Sequence, residues 1–336
     1  MGDSALAYLY ARQLRQKLGV PVGVINASAG GTSIEAWTSE TAQRKCPELQ
    51  PLLAEWETTL AMYEKTFSDY KAALNAWAAQ PNASAEKKPA PPKLNVAPKY
   101  PGYYFNGMIA PLIPYAIRGV IWYQGEANAS SVKTAQWYRH QLPLLIADWR
   151  NRWHDDFPFA WVQLPNYEGG PGWMVVREAM LKTLSVPRTG MAVAIDIGES
   201  KNIHPKNKQE VARRLSLWAL SEVYGQEVGT ANGPILTGYQ IHEGAVELAF
   251  KEKTGALVAK GGELIGFTIA GADQKWQPAK ARIEGAKVIV SNPAVHQPVA
   301  VRYAWEPDPK CNLYNAADLP ASPFRTDEWP VSDGVK

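Results

Sequence analysis

The sequence has 336 residues, and its hydrophobic fraction of 46% is enough for one large core or two ordinary domains. The formal net charge is only +3 and no polybasic run occurs, which argues against a nucleic-acid partner. No apolar run is long enough to span a bilayer, and no spacing of histidines and cysteines matches a metal site. We therefore expect no membrane span, no metal and no other cofactor.

Up to about residue 225, short apolar runs alternate with segments of helical period. This alternation predicts an α/β domain, residues 1–225, with a parallel sheet covered by helices on both faces. The predicted strands are 21–26, 119–123, 159–164 and 191–196, and the predicted helices are 5–18, 34–45, 135–153, 174–184 and 208–224. The remaining segments are short, alternate in polarity and end at Gly, Pro or Asn, which predicts a small β-rich domain, residues 226–336.

A helical insertion at about 50–100 is predicted to interrupt the first domain. Aromatic and aliphatic residues recur there at spacings of three and four across residues 52–79, the period of a coiled-coil-like seam. A stretch rich in Pro, Ala and Lys follows and is typical of an extended linker. The inserted helix either supports the domain or forms a lid beside its cleft, and the sequence leaves both interpretations open.

Two glycines follow the first predicted strand. Gly30 and Gly31 precede Thr32 and Glu35, whose spacing predicts a capping box at a helix N-terminus. Backbone N–H groups at such a turn can bind an anion, including the oxyanion of an acyl-transfer intermediate. A tight turn that simply needs glycine is the alternative.

Polar side chains follow the predicted strand 119–123. Glu126 and Asn128 lie just beyond it, and the predicted strand 191–196 leads through Asp196 towards His204. The carboxyl ends of parallel strands share one edge of a sheet, so we expect these side chains to converge there. A histidine near two acids is a candidate general base with an orienting acid. The alternative is that these polar residues cap the neighbouring helices.

Three further polar residues, Gln124, Gln163 and Arg177, are expected near strand ends and are predicted to contact a substrate.

Four stretches of this chain resemble the sialate O-acetylesterase family, a branch of the SGNH or GDSL-like serine esterases related to acetyl xylan esterases. They read GVPVGVINASAGGTSIEAW, YFNGMIAPLIPYAIRGVIWYQGEAN, DIGESKNIHPKNKQEVARRL and CNLYNAADLPASPFRTD. The resemblance implies a three-layer α/β/α hydrolase that removes O-acetyl groups from a sugar or glycan through an acyl-enzyme, without a cofactor. Members of that family are often periplasmic or secreted, whereas the first residues of this chain lack the pattern of a signal peptide.

The resemblance also implies roles for individual residues. Gly31 matches the oxyanion glycine of the family's GGT turn, Asn128 matches the oxyanion asparagine of its QGE-x-N motif, and His204 matches its catalytic base.

The triad acid has two candidates. Glu126 corresponds to the acid of related xylan esterases, whereas many SGNH enzymes use an acid a few residues before the histidine. This chain has Lys201 and Asn202 at those positions, and neither can act as an acid. Glu126 is therefore expected, with Asp196 as the alternative.

The nucleophile is not identified by the sequence. Family members carry it in an SGQSNM-like segment, which does not occur here, and Ser4 in the letters GDSA only mimics a GDSL block at an expected helix cap. One expectation is that a separate chain or segment carries the nucleophile strand. The alternatives for the whole chain are a non-catalytic carbohydrate-binding or assembly subunit and an acetyl xylan esterase.

Overall fold

A computed structural model describes residues 4–80, 87–92 and 100–333. Its α-helices are α1 Ala5–Leu18, α2 Glu40–Arg44, α3 Gln50–Ala78, α4 Val132–Trp153, α5 Gly172–Lys182 and α6 Lys208–Trp218. Its strands are β1 Val120–Trp122, β2 Phe159–Val162, β3 Thr189–Ala192, β4 Leu236–His242, β5 Ala245–Phe250, β6 Leu257–Ala259, β7 Phe267–Ala270, β8 Gln277–Pro278, β9 Lys280–Glu284, β10 Lys287–Ser291, β11 Ala300–Tyr303, β12 Leu313–Asn315 and β13 Phe324–Arg325. None of the helices in these ranges is long and apolar enough to cross a bilayer.

The N-terminal part is built on a parallel sheet in the order β1-β2-β3. Successive side chains of a strand point to opposite faces, and β2 shows both faces buried. Phe159 and Trp161 join the core that contains α4 and α5, whereas Ala160 and Val162 join the core that contains α1 and α6. Two helical layers therefore enclose the sheet, and the predicted three-layer α/β/α fold is confirmed.

The strand predicted at 21–26 is wrong. Residues 20–29 form no regular element, and Val24 and Ile25 are 49% and 54% exposed. A strand needs a backbone partner, and β1 pairs only with β2 among the described residues. A groove of about 580 Å³ lies beside β1 instead, lined by α1, by residues 22–25 and by aromatic side chains of α4.

The inserted helix is observed as α3. It lies mostly on the surface, with Leu53 as its fully buried residue, and its aromatic stripe is half-buried. Neighbouring rings of this stripe contact each other, with 5.9 Å between the centroids of Tyr63 and Phe67 and 6.0 Å between those of Phe67 and Tyr70. Most of the predicted linker, residues 81–86 and 93–99, lies outside the described ranges.

The C-terminal part is β-rich, as predicted. Antiparallel sheets in the orders β4-β5-β10-β9 and β13-β11-β7-β8 pack around a shared apolar core, and β6 pairs with β12. The division of the chain at residue 225 stays a prediction, and β4 begins at Leu236.

The packing of β3 against α6 leaves no room for a side chain at Gly190. A Cβ atom there would lie 2.2 Å from a ring carbon of Trp218. We expect Gly190→Ala to lower the free energy of unfolding, towards the upper end of about 1–3 kcal/mol, because the methyl group overpacks this contact. Urea denaturation measures the change. Gly238→Ala is the control, because nothing lies within 4 Å of its Cβ position, and a change in it as large as in Gly190→Ala would contradict the packing argument.

Candidate active site

The loop after β1 carries the polar side chains that the sequence places at a strand end. It turns sharply at Gly125, where φ is +153° and a Cβ atom would lie 2.9 Å from Met180 and 3.1 Å from Val176. Glycine suits this position because L side chains rarely adopt this φ, and a Cβ atom would also crowd side chains of α5. The turn brings Glu126 to the edge of the sheet and leads into a short 3-10 helix that begins at Asn128.

The side chain of Asn128 is 1% exposed and is held by three hydrogen bonds. Its Oδ1 accepts from the backbone N–H of Ile34 at 3.0 Å and from Nε2 of Gln124 at 2.8 Å, and its Nδ2 donates to Oε2 of Glu35 at 3.0 Å. Gln124 is itself held, because its Oε1 accepts from the hydroxyl of Tyr138 at 3.1 Å. The predicted oxyanion asparagine thus has one orientation, supported from the core.

The predicted capping box between Thr32 and Glu35 is wrong. The local element is a 3-10 helix, Ile34–Trp37, whose N-cap Ser33 makes no side-chain capping bond. Thr32 donates to the carbonyl of Ala29 and accepts from the indole of Trp37, while Glu35 binds Asn128. The carboxyl group of Glu35 therefore binds Asn128, which is distant in sequence, and does not cap the local helix.

Gly31 lies in the turn directly before this 3-10 helix. Its φ of +72° is left-handed, and a Cβ atom there would meet nothing within 4 Å. The turn therefore requires glycine for its backbone conformation and not for space. The turn is joined to the loop after β1, since Gln124 Nε2 donates to the carbonyl of Thr32 at 3.0 Å.

Glu126 is the acid nearest in sequence to Asn128. Burial raises the pKa of its carboxyl group above the ordinary value, and the positive charges of Lys208 and His204 lower that pKa by less. Lys208 is at the start of α6, with its ammonium 4.8 Å from the centroid of the Tyr123 ring. Glu126, Lys208 and His204 thus interact electrostatically at one end of the sheet.

His204 lies in the loop between β3 and α6 and is exposed. Its backbone N–H donates to Asn202 Oδ1 at 3.0 Å. The loop is pinned by Asn166, whose Oδ1 accepts from the backbone of Gly198 at 2.7 Å and whose Nδ2 donates to Asp308 at 2.8 Å. The loop is therefore held by side-chain hydrogen bonds at Gly198 and at His204.

Asp196 forms a bidentate ion pair with Arg214, at 2.6 and 2.8 Å, and accepts from the hydroxyl of Tyr314 at 3.1 Å. These bonds occupy both carboxylate oxygens and tie the segment after β3 to α6 and β12. Asp196 is thus committed to structural contacts, and Glu126 is the better candidate for the triad acid.

Arg177 and Gln163 lie in the core and not on the cleft surface. Both are 0% exposed. The guanidinium of Arg177 donates to the carbonyls of Leu164, Pro165, Glu306 and Pro307, while Gln163 Nε2 donates to Ser322 and to the carbonyl of Arg177. Their expected contact with substrate does not fit this burial. Gln124 donates a hydrogen bond to Asn128. Its side chain is therefore used in a structural contact, which differs from the predicted contact with a substrate.

Sequence reasoning missed the role of Glu35 and of Lys208. Glu35 stands among Ile34, Ala36 and Trp37, all buried, and a carboxylate within an apolar run is a signal that was available. Taken together, the sheet edge presents an imidazole, a carboxylate with a raised pKa and an amide donor, the groups that acyl transfer requires.

Comparison with known proteins agrees with this chemistry. A family model described as "Carbohydrate esterase, sialic acid-specific acetylesterase" matches residues 106–217. The sialate O-acetylesterases of Mus musculus and Homo sapiens are each 28% identical to this chain, over 96% and 97% of it and 63% and 62% of their own length. The crystal structure of a carbohydrate acetylesterase from Xanthomonas citri matches with a TM-score of 0.78 and 37% identity, over 97% of this chain and 65% of that chain. The chain therefore spans less than two thirds of each.

The burial of Glu126 predicts a pH-dependent stability change. A carboxyl group whose pKa is raised by folding stabilises the fold only while it is protonated, so that contribution is lost as pH rises from its ordinary value of 4.5 through the raised value. We expect Glu126→Gln to increase the free energy of unfolding at pH 8 and to leave it nearly unchanged at pH 4. Urea denaturation at both pH values measures this. Glu252→Gln, at an exposed site, is the control, and equal gains in the two variants would refute the burial argument.

Proposed function

We propose that this chain belongs to the sialate O-acetylesterase family and that it hydrolyses acetyl esters on sugars by a serine acyl-enzyme mechanism. The observation that carries the proposal is the buried amide of Asn128, which is held from three sides at the end of β1, next to Glu126. The placement of Glu126 after β1 and of His204 between β3 and α6, at loops of one parallel sheet, supports it further.

In the proposed reaction, His204 removes the proton of a serine hydroxyl as the serine attacks the acetyl carbonyl. Glu126 accepts a hydrogen bond from the imidazole and stabilises the imidazolium that forms. The oxyanion of the tetrahedral intermediate accepts from the backbone N–H of Gly31 and from Nδ2 of Asn128. His204 then gives its proton to the departing sugar hydroxyl, and water releases acetate from the acetyl-serine by the same steps.

We propose an O-acetylated sialic acid as the substrate class, following the names of the mammalian relatives. Because the chain spans 63% and 62% of those proteins, activity and substrate are part of the proposal. Release of acetate from O-acetylated sialic acid and from acetylated xylan fragments, compared as kcat/KM, separates this class from an acetyl xylan esterase.

The nucleophile belongs to the proposal as well. Ser4 accepts the backbone N–H of Ala7 at 3.3 Å and caps α1, which is a structural use of its hydroxyl. We propose that the serine lies on an extended segment that pairs with the edge of β1 for which the described residues supply no strand. The apolar groove beside that edge is compatible with an added strand.

Removing the proposed oxyanion donor or the proposed base tests the mechanism. We expect Asn128→Ala to lower kcat by about 10²–10³-fold, because an oxyanion donor acts mainly in the transition state. We expect His204→Ala to lower kcat by at least about 10³-fold, because no other group takes the serine proton. Acetate release at saturating substrate measures both.

The matched control for the base is His242→Ala, in β4, which should retain wild-type kcat. Full activity of Asn128→Ala or of His204→Ala, in protein with an unchanged unfolding midpoint, would remove that residue from the proposed site.

A fluorophosphonate that traps activated serines tests for the nucleophile. We expect the active protein to be labelled at one serine, located by peptide mass mapping, and the labelling to disappear in His204→Ala because the serine is no longer activated. Labelling at Ser4 would place the nucleophile at the start of α1 instead of beside β1. Sugar binding without labelling or acetate release would identify a non-catalytic subunit and contradict the proposal.

A further inference from the structure

Glu35 is a buried acid that contacts the proposed oxyanion donor. Its side chain is 6% exposed, and Oε2 accepts from Asn128 Nδ2 at 3.0 Å. We infer that Glu35 is a positioning residue for the reaction: it holds the carboxamide of Asn128 so that the second N–H of that amide is available to the oxyanion. This inference rests on the proposed function.

The hydrogen-bonding capacity of Asn128 supports the inference. An asparagine side chain has two N–H donors and an oxygen that can accept two hydrogen bonds. The oxygen of Asn128 accepts from Ile34 and from Gln124, and one N–H donates to Glu35. Within the described part of the chain, three of the four positions are therefore filled. The position that remains is an N–H donor, which is the group that an oxyanion needs.

Glu35 determines where that remaining donor lies. Without the carboxyl group of Glu35, the N–H of Asn128 that now donates to it would be buried and unpaired. An unpaired buried N–H costs free energy, which favours a rotation of the amide or a local opening. Either change moves the donor, and preorganisation of the donor is the source of its catalytic value.

The environment of Glu35 does not suggest another task for its side chain. The 3-10 helix around it is buried on all four residues, and its backbone carbonyl already accepts from Gln43 Nε2 at 2.8 Å and from the N–H of Gly102 at 2.9 Å. The backbone of Glu35 therefore stabilises the turn, while the side chain is directed to Asn128.

A double-mutant cycle tests the inference. We expect Glu35→Ala to lower kcat by about 10–100-fold, less than the loss of the donor itself, with little change in KM because the bound ester does not yet carry the oxyanion. In the Asn128→Ala background, Glu35→Ala should cause no further loss of kcat, because its effect passes through Asn128. Losses in kcat that multiply in the double variant would overturn the inference.

Two variants separate positioning from general damage to the turn. Glu35→Gln keeps an acceptor oxygen of the same shape and should retain kcat within a few-fold of wild type. Thr38→Val removes the hydrogen bond from Thr38 Oγ1 to the carbonyl of Ile34, 3.3 Å, without touching Asn128, and should lower stability but not kcat. An equal fall of kcat in Thr38→Val and Glu35→Ala would mean that local unfolding, not positioning, is responsible.

A measurement without turnover distinguishes failure of this inference from failure of the proposed function. The two side-chain amide protons of Asn128, assigned by their absence in Asn128→Ala, should give separate and slowly exchanging NMR signals in the wild type. We expect these signals to move and exchange faster in Glu35→Ala and to be kept in Glu35→Gln. Unchanged signals in Glu35→Ala would overturn the inference, whereas absence of esterase activity in the wild type would contradict the proposed function only.

Discussion

The arrangement of the whole site depends on the hydrogen bonds to one buried carboxamide. Asn128 is bound by the backbone of Ile34, 94 residues away in the chain, and by the side chains of Gln124 and Glu35. These bonds fix the turn after Gly31 relative to the loop after β1, so that the two proposed oxyanion donors share one rigid frame. The hydroxyl of Tyr138 in α4 supports Gln124 from the core. Buried residues of the α/β part therefore determine the position of the site.

The electrostatic part of the site has a different origin. Burial disfavours the charge of Glu126, and that charge is partly offset by Lys208 at the beginning of α6 and by His204 in the preceding loop. Helix α6 begins at this edge because Asn207 caps it, with Oδ1 accepting from the N–H of Glu210 at 3.1 Å. The start of a helix therefore brings the ammonium group of Lys208 near a largely buried carboxyl group.

The fold was predictable where the controlling interactions are periodic. Helix α1 matches its prediction residue for residue, since its apolar positions and its Gly19 C-cap are local signals. The side chains of β2 alternate between two buried faces, which likewise follows from strand geometry. The strand at 21–26 was not predictable in the same way, because strand formation also needs a neighbouring backbone, and no hydropathy pattern reports whether one is present. The apolar residues of that segment match the pattern of a buried strand, but the segment forms no strand.

The site was predictable where residues follow strand ends, as Glu126, Asn128 and His204 do, and their catalytic roles stay predictions. Arg177 was misassigned because a charged side chain is ordinarily expected at a surface. Burial lowers the pKa of Arg177 to about 9. The guanidinium is nevertheless accommodated in the core, because backbone carbonyls accept its hydrogen bonds. Glu35 was misassigned because a local capping pattern and a long-range hydrogen bond use the same residue type. In both cases the deciding partner lies far away in sequence.

The contacts of Arg177 have a consequence for how the molecule can come apart. Its guanidinium in α5 binds carbonyl oxygens of residues 306 and 307, which follow β11, and Arg325 in β13 pairs with Glu178 of the same helix at 2.8 Å. Separating the two sheet systems would leave a cation in a dry interior without half of its acceptors. We therefore expect the α/β and β-rich parts to melt together in a single cooperative transition.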